Sequence, residues 1–187
     1  MARIEPLQLI TLVGPKHVGK TSVGKALARL SGANFFDLDS IIEERTGLSP
    51  RALFERSPET FRTAEAEAAV WIVGELRQDA PIVLAAGGGL IDNPPAMRAF
   101  SGKSILVYLE LDPKRTWERI RAAAERSGTL PPFLRGDDPE GIHRALHERR
   151  AAEYRRAADL TVDAAGSSPA EIAALVLKKL RELRSPC

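Results

Sequence analysis

The sequence contains one cysteine, no long apolar segment and almost no excess of charge of either sign. Cys187 stands at the last of 187 positions, which excludes a disulfide framework and a cysteine-based metal site. Lysine and arginine total 27 against 25 aspartate and glutamate residues, a net charge of +2. A general nucleic-acid or membrane-surface binder needs a much larger basic excess, so we expect neither function.

Signals for export or membrane insertion are also absent from the sequence. The N-terminal residues lack the charged head, long apolar stretch and small-residue cleavage site of a signal peptide. The longest apolar run, residues 81–91, is too short to span a bilayer. These absences predict a cytoplasmic protein.

The composition supplies enough apolar material for one folded core. Hydrophobic residues make up 44% and charged residues 28%, both near the globular average. The length suits one domain, and we expect residues 1–187 to form it. Most of the basic residues are arginine, whose planar guanidinium suits the recognition of phosphate or carboxylate.

Short apolar runs alternate along the chain with segments of helical periodicity. The predicted strands are Leu9–Val13, Asn34–Leu38, Pro81–Ala86, Ser104–Leu109 and Leu160–Val162. The predicted helices are Thr21–Leu30, Ser40–Arg45, Pro50–Glu55, Thr60–Leu76, Asp112 to about Arg126, Glu140–Arg156 and Pro169–Leu183. The alternation predicts an α/β fold, a three-layer α/β/α sandwich around a five-stranded parallel sheet. Residues 127–139, rich in glycine and proline, are predicted to form a loop.

The segment GPKHVGKT, from Gly14 to Thr21, lies between the first predicted strand and the first predicted helix. It fits the phosphate-loop spacing G-x-x-x-x-G-K-[ST] in the context that this motif requires. Amide N–H groups of the loop and the helix start would converge on an anion. Lys20 would neutralise β- and γ-phosphate oxygens, and the Thr21 hydroxyl would hold Mg²⁺. A turn with a merely solvated lysine is the alternative, and we favour nucleotide binding.

Asp37 and Asp39 stand two residues apart at the end of the second predicted strand, so their carboxylates leave on the same side. The carboxyl ends of strands in open α/β sheets face the ligand crevice. One carboxylate can hold a metal while the other accepts a hydrogen bond from a substrate hydroxyl. The alternative is that both residues simply cap the following helix.

Each of two further patterns allows a functional and a purely structural interpretation. Arg62 and Glu65 lie three residues apart on one helical face, where Glu65 can orient the guanidinium. Taken alone, this spacing favours an ordinary surface ion pair. The glycine run Gly87–Gly89 follows a buried strand. It suits either the close approach of a ligand to bare amides or a tight turn.

His143 and His147 are four residues apart on a charged helix, which is the spacing of metal ligands. No third ligand lies nearby in the sequence. We therefore expect both side chains to be solvated on the helix face.

In order and spacing, these motifs resemble those of the shikimate kinases over nearly the whole chain. The order is GPKHVGKT, FFDLD, FRTAE, LAAGGG and ERRAAEYRRAAD. Several are weak singly, but five in this order are specific. The resemblance implies a P-loop kinase fold like that of the nucleoside-monophosphate kinases. It also implies transfer of the ATP γ-phosphate to the 3-hydroxyl of shikimate with Mg²⁺, a place in aromatic amino-acid biosynthesis, and a monomer.

The resemblance further implies a role for each matching residue. Lys20, Asp39 and Arg126 would be catalytic, with Asp39 binding the reacting hydroxyl. Thr21 and Asp37 would hold the metal. The ATP site would comprise Gly14, Pro15, Lys16, His17, Val18, Gly19, Lys20, Thr21, Ser22, Arg126 and Pro169. The substrate site would comprise Asp39, Phe54, Phe61, Arg62, Gly87, Gly88, Gly89 and Arg150, with the two arginines clamping the carboxylate.

Two departures from the family pattern concern the phosphates. His17 stands where family loops usually have glycine, so the loop either sits differently or gains a phosphate donor. Pro131, in the sequence PPFL, stands where the family pattern Arg-Pro-Leu-Leu has its lid arginine. Arg126 or Arg135, on either side, can swing in instead. Loss of such an arginine costs on the order of 10³-fold in related phosphoryl transfers.

The altered lid keeps two other interpretations open. One is a kinase-like module that senses a ligand without phosphorylating it, although the retained lysine, aspartates and arginines favour an enzyme. The other is a P-loop kinase of another small hydroxy acid, of the gluconate type. Arg62, Arg150 and the glycine run favour a cyclic carboxylate over that option.

Overall fold

The computed structural model describes residues 9–77 and 80–183. The predictions that concern Cys187 and the first eight residues fall outside these ranges. Within them, no helix has the length and apolar character needed to cross a membrane.

Five parallel strands form one sheet in the order β2-β3-β1-β4-β5. They are β1 (Leu9–Val13), β2 (Asn34–Asp37), β3 (Ile82–Ala85), β4 (Ile105–Glu110) and β5 (Leu160–Asp163). Strand β1 lies in the centre, where Leu12 is in register with Ala85 of β3 and Val107 of β4. Every residue of β1 and β3 is buried, because helices cover both faces of the sheet, and this explains their nearly continuous apolar sequences.

Eight α-helices occur in the described ranges. They are α1 (Lys20–Ser31), α2 (Leu38–Thr46), α3 (Pro50–Arg56), α4 (Pro58–Gly74), α5 (Pro94–Phe100), α6 (Pro113–Ser127), α7 (Pro139–Ala157) and α8 (Pro169–Glu182). Alternate residues of β1 face opposite layers. Ile10 and Leu12 pack with residues of α1 and α8, whereas Leu9 and Val13 pack with residues of α2, α4 and α5. The predicted three-layer sandwich is confirmed.

The predicted start of the second helix at Ser40 is wrong. Helix α2 begins at Leu38, and Asp37 is its N-cap, because the Asp37 carboxylate accepts a hydrogen bond from the Asp39 N–H at 3.1 Å. Asp39 therefore lies in the first turn of a helix and not at the end of a strand.

Helix α5 is absent from the predicted elements. Pro94 and Pro95 open it, at positions where a helix has no use for the missing N–H groups. The Asn93 side chain caps it by accepting a hydrogen bond from the Ala96 N–H at 3.4 Å. The two prolines therefore start a helix here.

The prediction of solvated histidines on α7 is wrong. His143 and His147 are both buried, and the ring of His143 lies 5.6 Å from that of Trp117 on α6. Burial lowers the pKa of both histidines, that of His143 to about 4. They pack α7 against α6.

Helix α4 carries one deeply buried carboxyl group, that of Glu65, which is 1% exposed. Its Oε2 accepts a hydrogen bond from Asn93 Nδ2 at 2.9 Å, and its Oε1 is buried with no partner among the described residues. Burial raises the pKa of Glu65 to about 7, opposed by the Asn93 hydrogen bond and reinforced by the Asp39 carboxylate. The Asn93 amide also donates to the Arg62 carbonyl oxygen at 2.7 Å, so this contact fixes the chain before α5 against α4.

We expect the Glu65→Gln variant to lose part of the pH dependence of folding stability. A carboxyl group whose pKa is near 7 in the folded chain and near 4.5 in the unfolded chain stabilises the fold fully below pH 4.5, and this contribution is lost as the pH rises through 7. Glutamine keeps the acceptor for Asn93 and has no charge. The free energy of unfolding of the variant, relative to wild type, should therefore rise by about 2 kcal/mol between pH 5 and pH 8. Urea unfolding at the two pH values measures this difference.

Glu67→Gln is the matched control, because Glu67 is exposed on the same helix. Its stability should follow that of the wild type at both pH values. If Glu65→Gln shows the wild-type pH profile as well, Glu65 is already charged in the folded protein and the prediction is wrong.

Candidate active site

The phosphate-loop segment leaves β1 and runs into α1 at the C-terminal edge of the sheet. Gly14 has a φ of 142°, and a Cβ atom there would overlap the carbonyl oxygen of Leu109, so only glycine fits. Gly19, at a φ of 110°, precedes α1 and provides no side-chain cap. The first N–H groups of α1, including those of Thr21 and Ser22, are therefore available to an anion.

The side chain of Lys20 folds back over this loop. Its Nζ donates to the carbonyl oxygens of Gly14 and Pro15, each at 2.9 Å, and the residue is 9% exposed. Burial lowers the pKa of Lys20 to about 8, opposed by the carboxylates of Asp39 and Asp37. This geometry contradicts the alternative of a solvated lysine.

His17 has a φ of 62° and is the one non-glycine residue with a positive φ in the described part of the chain. His17 thus adopts the left-handed backbone conformation, which glycine adopts without strain. Arg119 of α6 donates from Nη1 to the carbonyl oxygens of His17 and Val18, at 3.0 and 3.1 Å. Burial lowers the pKa of His17, and nearby cations, first Lys16, lower it further. The loop is therefore held from outside by an arginine of a neighbouring helix.

Thr21 and Asp37 meet beside the loop. Thr21 Oγ1 donates to Asp37 Oδ2 at 2.8 Å, while Asp37 Oδ1 caps α2. Residues 9–77 and 80–183 contain no cluster of three or more His, Cys, Asp or Glu side chains that could hold a metal ion. One hydroxyl and one carboxylate fit Mg²⁺, which binds few protein oxygens and takes its other ligands from phosphates and water.

Asp39 faces the glycine run from the first turn of α2. A Cβ atom on Gly87 would lie 3.5 Å from Asp39 Oδ1 and 3.0 Å from Glu65 Oε1. Asp39 is open to the cleft, yet burial of its carboxyl group raises its pKa, reinforced by Asp37 and opposed by the nearby lysines. A carboxylate with a raised pKa in a cleft is suited to accept a proton.

Each residue of the glycine run makes room for a different part of the site. Gly87 lies against the two carboxyl groups described above. A Cβ atom on Gly88 would lie 3.0 Å from the backbone nitrogen of Lys16, and one on Gly89 would lie 2.9 Å from Arg150 Nη2. The requirement for glycine is strongest at Gly88, whose neighbour is backbone, whereas Gly87 and Gly89 lie against the ends of side chains.

Arg150 of α7 lines a small cavity of about 30 Å³ together with Lys16, Gly88 and Phe133. Its Nε and Nη2 donate to Asp92 Oδ2 at 2.9 and 2.5 Å. The ring centroid of Phe133 lies 5.8 Å from the guanidinium carbon. The guanidinium is thus held on one edge by Asp92 and lies over the Phe133 ring.

Arg62 of α4 is more exposed than Arg150, and its one ion pair among the described residues is a loose contact with Glu59 at 3.9 Å. The predicted orientation of Arg62 by Glu65 is wrong, because the Glu65 carboxyl group is buried beneath the helix. Phe61, which precedes Arg62, packs edge to face on Phe54 of α3 with ring centroids 6.1 Å apart.

The lid residues 127–139 include a short helical turn, Pro132–Leu134. Leu134 is buried with Trp117 and Ile120 of α6, and Pro131 is buried as well. The position of the family's lid arginine is therefore part of a packed apolar turn.

Two hydrogen bonds join the lid to α3. Arg135 Nη2 donates to Glu55 Oε1 at 3.0 Å, and Arg51 Nη1 donates to Thr129 Oγ1 at 2.8 Å. Arg135 is thus engaged on the α3 side of the cleft.

Arg126 lies in the last turn of α6, seven residues after Arg119, and so on the same helical face. Its charge contributes to lowering the pKa of His17, which places it on the phosphate-loop side. Within the part of the chain that the structure describes, the Arg126 guanidinium forms no ion pair and no hydrogen bond. Arg126 is therefore available to a bound anion in a way that Arg135 is not.

Pro169 opens α8 directly after a capping box formed by Ser168 and Glu171. Helix α8 packs against α1, and Pro169 is exposed. A contact between Pro169 and a nucleotide base stays a prediction.

Asp92, Asn93 and Arg119 are parts of the site that sequence reasoning missed. Asn93 had a readable signal, since an asparagine before two prolines is a strong helix start. Asp92 and Arg119 had none, because their roles depend on partners 58 and 102 residues away in sequence.

Comparisons with known proteins agree with this geometry. Residues 16–181 match the family model described as shikimate kinase. A shikimate kinase of Nitrosococcus oceani is 37% identical over 176 residues, covering 94% of this chain and 88% of that protein. One of Burkholderia lata is 35% identical over 177 residues, covering 94% and 91%. The structure of shikimate kinase from Acinetobacter baumannii in complex with shikimate matches with a TM-score of 0.84 at 31% identity and covers 97% of each chain. The chain belongs to the shikimate kinase family and is an ATP-dependent small-molecule kinase.

Proposed function

We propose that the protein transfers the γ-phosphate of ATP to the 3-hydroxyl of shikimate. The observation that carries this proposal is that three charged side chains lie together at one edge of the sheet. They are the buried Lys20 of the phosphate loop, the Asp39 carboxyl with its raised pKa, and the Arg150 guanidinium beside the glycine run. The related enzyme of A. baumannii, solved with shikimate, supports the same acceptor.

On the nucleotide side, the backbone N–H groups of the loop and of the first turn of α1 bind the phosphates. This segment comprises Gly14, Pro15, Lys16, His17, Val18, Gly19, Lys20, Thr21 and Ser22. Lys20 contributes its charge from a desolvated position, where an ammonium interacts more strongly with phosphate than it would in water. Pro169 lies on the adenine side.

Thr21 and Asp37 supply the protein oxygens that hold Mg²⁺. When bound, the ion neutralises charge on the phosphoryl oxygens. The hydrogen bond between Thr21 Oγ1 and Asp37 Oδ2, at 2.8 Å, keeps these two oxygens together beside the loop.

On the acceptor side, Asp39 accepts the proton of the 3-hydroxyl or orients it for in-line attack. Arg62 and Arg150 bind the carboxylate through bidentate guanidinium geometry. The N–H groups of the glycine run contact the substrate, and Phe54 and Phe61 flank its ring. Most of the rate enhancement comes from positioning and charge neutralisation.

Arg126 supplies the positive charge over the transferring phosphate that Pro131 cannot provide. Its side chain has no protein partner among the described residues and lies on the face of α6 that contacts the phosphate loop. The lid closes over ATP and excludes water, which limits wasteful hydrolysis. The buried lysine and the carboxyl with a raised pKa support an enzyme over a non-catalytic sensor.

We expect ADP release from MgATP to depend on shikimate and to be abolished in Lys20→Ala. Removal of the buried ammonium leaves the loop carbonyls and the bound phosphates without their counter-charge. A coupled ADP assay with and without shikimate measures both expectations. Lys25→Ala is the matched control, because Lys25 is exposed on the same helix, and it should keep wild-type turnover.

Full activity in Lys20→Ala would contradict the proposed phosphate site. Absence of ADP release, with shikimate still binding in calorimetry, would favour the sensor. Absence of both release and binding would point to a different hydroxy acid, and a panel of such acids would follow.

We expect Arg126→Ala to lower kcat by on the order of 10³-fold, as for other arginines that stabilise a transferring phosphoryl group. Arg135→Ala should have a much smaller effect on kcat, because Arg135 is bonded to Glu55. Steady-state kinetics with both substrates varied compares the two variants. The opposite ranking would identify Arg135 as the lid cation and contradict the assignment of Arg126.

A further inference from the structure

A carboxylate from the chain itself occupies one edge of the Arg150 guanidinium. Asp92 Oδ2 accepts from Arg150 Nε at 2.9 Å and from Nη2 at 2.5 Å. Asp92 Oδ1 accepts from Arg149 Nη2 at 2.8 Å, and Arg149 Nη1 donates in turn to Glu153 at 2.9 Å. Asp92 is therefore held from two sides, and its position does not depend on Arg150 alone.

This carboxylate is not part of an ordinary surface ion pair. The side chains of Arg150 and Asp92 are only 20% and 19% exposed. Burial alone would raise the pKa of Asp92, yet the hydrogen bonds and charges of Arg150 and Arg149 lower it. Asp92 therefore stays charged at neutral pH and holds the guanidinium in one orientation.

Asp92 also connects the two sides of the acceptor site. The next residue, Asn93, donates from Nδ2 to the carbonyl oxygen of Arg62 at 2.7 Å and to Glu65 Oε2 at 2.9 Å. Two consecutive residues thus attach to α7 through Arg150 and to α4 through Arg62. They fix the relation between the two helices that carry the arginines.

In the orientation that Asp92 fixes, Arg150 keeps N–H donors that a ligand can use. Asp92 occupies the edge of Arg150 formed by Nε and Nη2, and a Cβ atom on Gly89 would lie 2.9 Å from Nη2. Nη1 donates no hydrogen bond to any residue of the described ranges. The edge formed by Nη1 and Nη2 is therefore open to a second carboxylate, in the bidentate geometry that guanidinium groups prefer.

We propose that Asp92 is a positioning residue for acceptor recognition: it holds Arg150 so that the open edge of the guanidinium receives the carboxylate of the substrate. The inference rests on the proposed function, in which Arg150 binds that carboxylate. Asp92 itself does not touch the substrate. Its contribution is to remove the conformational freedom that Arg150 would otherwise lose on binding.

The test compares shikimate with its methyl ester, which lacks the charged carboxylate. In Asp92→Ala, KM for shikimate should rise on the order of threefold to tenfold, the effect of one long side chain that is no longer held in place. KM for ATP and kcat should change little. The preference in kcat/KM for shikimate over the ester should fall by the same factor, because only the carboxylate contact is weakened. A general loss of packing would lower activity with both acceptors alike.

Two further variants complete the experiment. Glu153→Ala removes the other partner of Arg149 and leaves the contact between Asp92 and Arg150 in place, so the preference for shikimate should stay at the wild-type value. Asp92→Asn retains one acceptor oxygen without the charge, and its KM should lie between those of the wild type and Asp92→Ala.

A double-mutant comparison separates failure of this inference from failure of the proposed function. If Arg150→Ala leaves the preference for shikimate intact, Arg150 does not bind the carboxylate and the functional assignment itself fails. If Arg150→Ala lowers the preference, with Arg62 still in place, and Asp92→Ala does not lower it, only the inference about Asp92 is overturned. Agreement requires that Asp92→Ala add no further effect on KM in the Arg150→Ala background.

Discussion

The site depends on one desolvated positive charge, the ammonium group of Lys20. It donates to two carbonyl oxygens of the loop that precedes it, so the loop closes around the side chain that is to bind phosphate. Burial works against the charge, as the lowered pKa shows. Asp37 and Asp39 support the charge from the end of β2 and the first turn of α2. A bound phosphate group would supply further negative charge beside the Lys20 ammonium group.

On the acceptor side the protein again holds a positive charge in place, and here a carboxylate of the chain does so. Arg150 carries the positive charge, and the Asp92 carboxylate fixes its orientation. The glycine run brings backbone without side chains close to the Arg150 guanidinium. The buried Glu65 lies behind this surface with a pKa near neutrality, so it can avoid adding a full negative charge next to Asp39. The two halves meet where Gly88 packs against the backbone of Lys16, so the glycine run lies beside the phosphate loop.

The motifs predicted most of this arrangement because they lie within short segments that fold locally. The phosphate loop, Asp37, Asp39 and the glycine run all lie at or just beyond the ends of strands, and a parallel sheet brings the ends of its strands to one edge. The contact of Asp92 with Arg150 and that of Arg119 with the phosphate loop could not be predicted in this way. Both contacts join parts of the chain that are distant in sequence, and no local pattern distinguishes Arg119 from the other arginines. The prediction that His143 and His147 are solvated is wrong for the same reason, since the partner that buries them lies on α6.

In this protein, different segments can exclude water from the site and supply the positive charge over the phosphoryl group. A lid must exclude water, and the transfer must have a positive charge over the phosphoryl group. Here the turn Pro132–Leu134 is packed by apolar side chains, and hydrogen bonds of Arg135 and Thr129 join the lid to α3, an arrangement suited to closure. The charge can then come from the last turn of α6, a rigid element whose Arg119 already contacts the loop. A cation held by a helix needs less ordering than one held by a loop, so the proline at the family's arginine position is compatible with catalysis by Arg126.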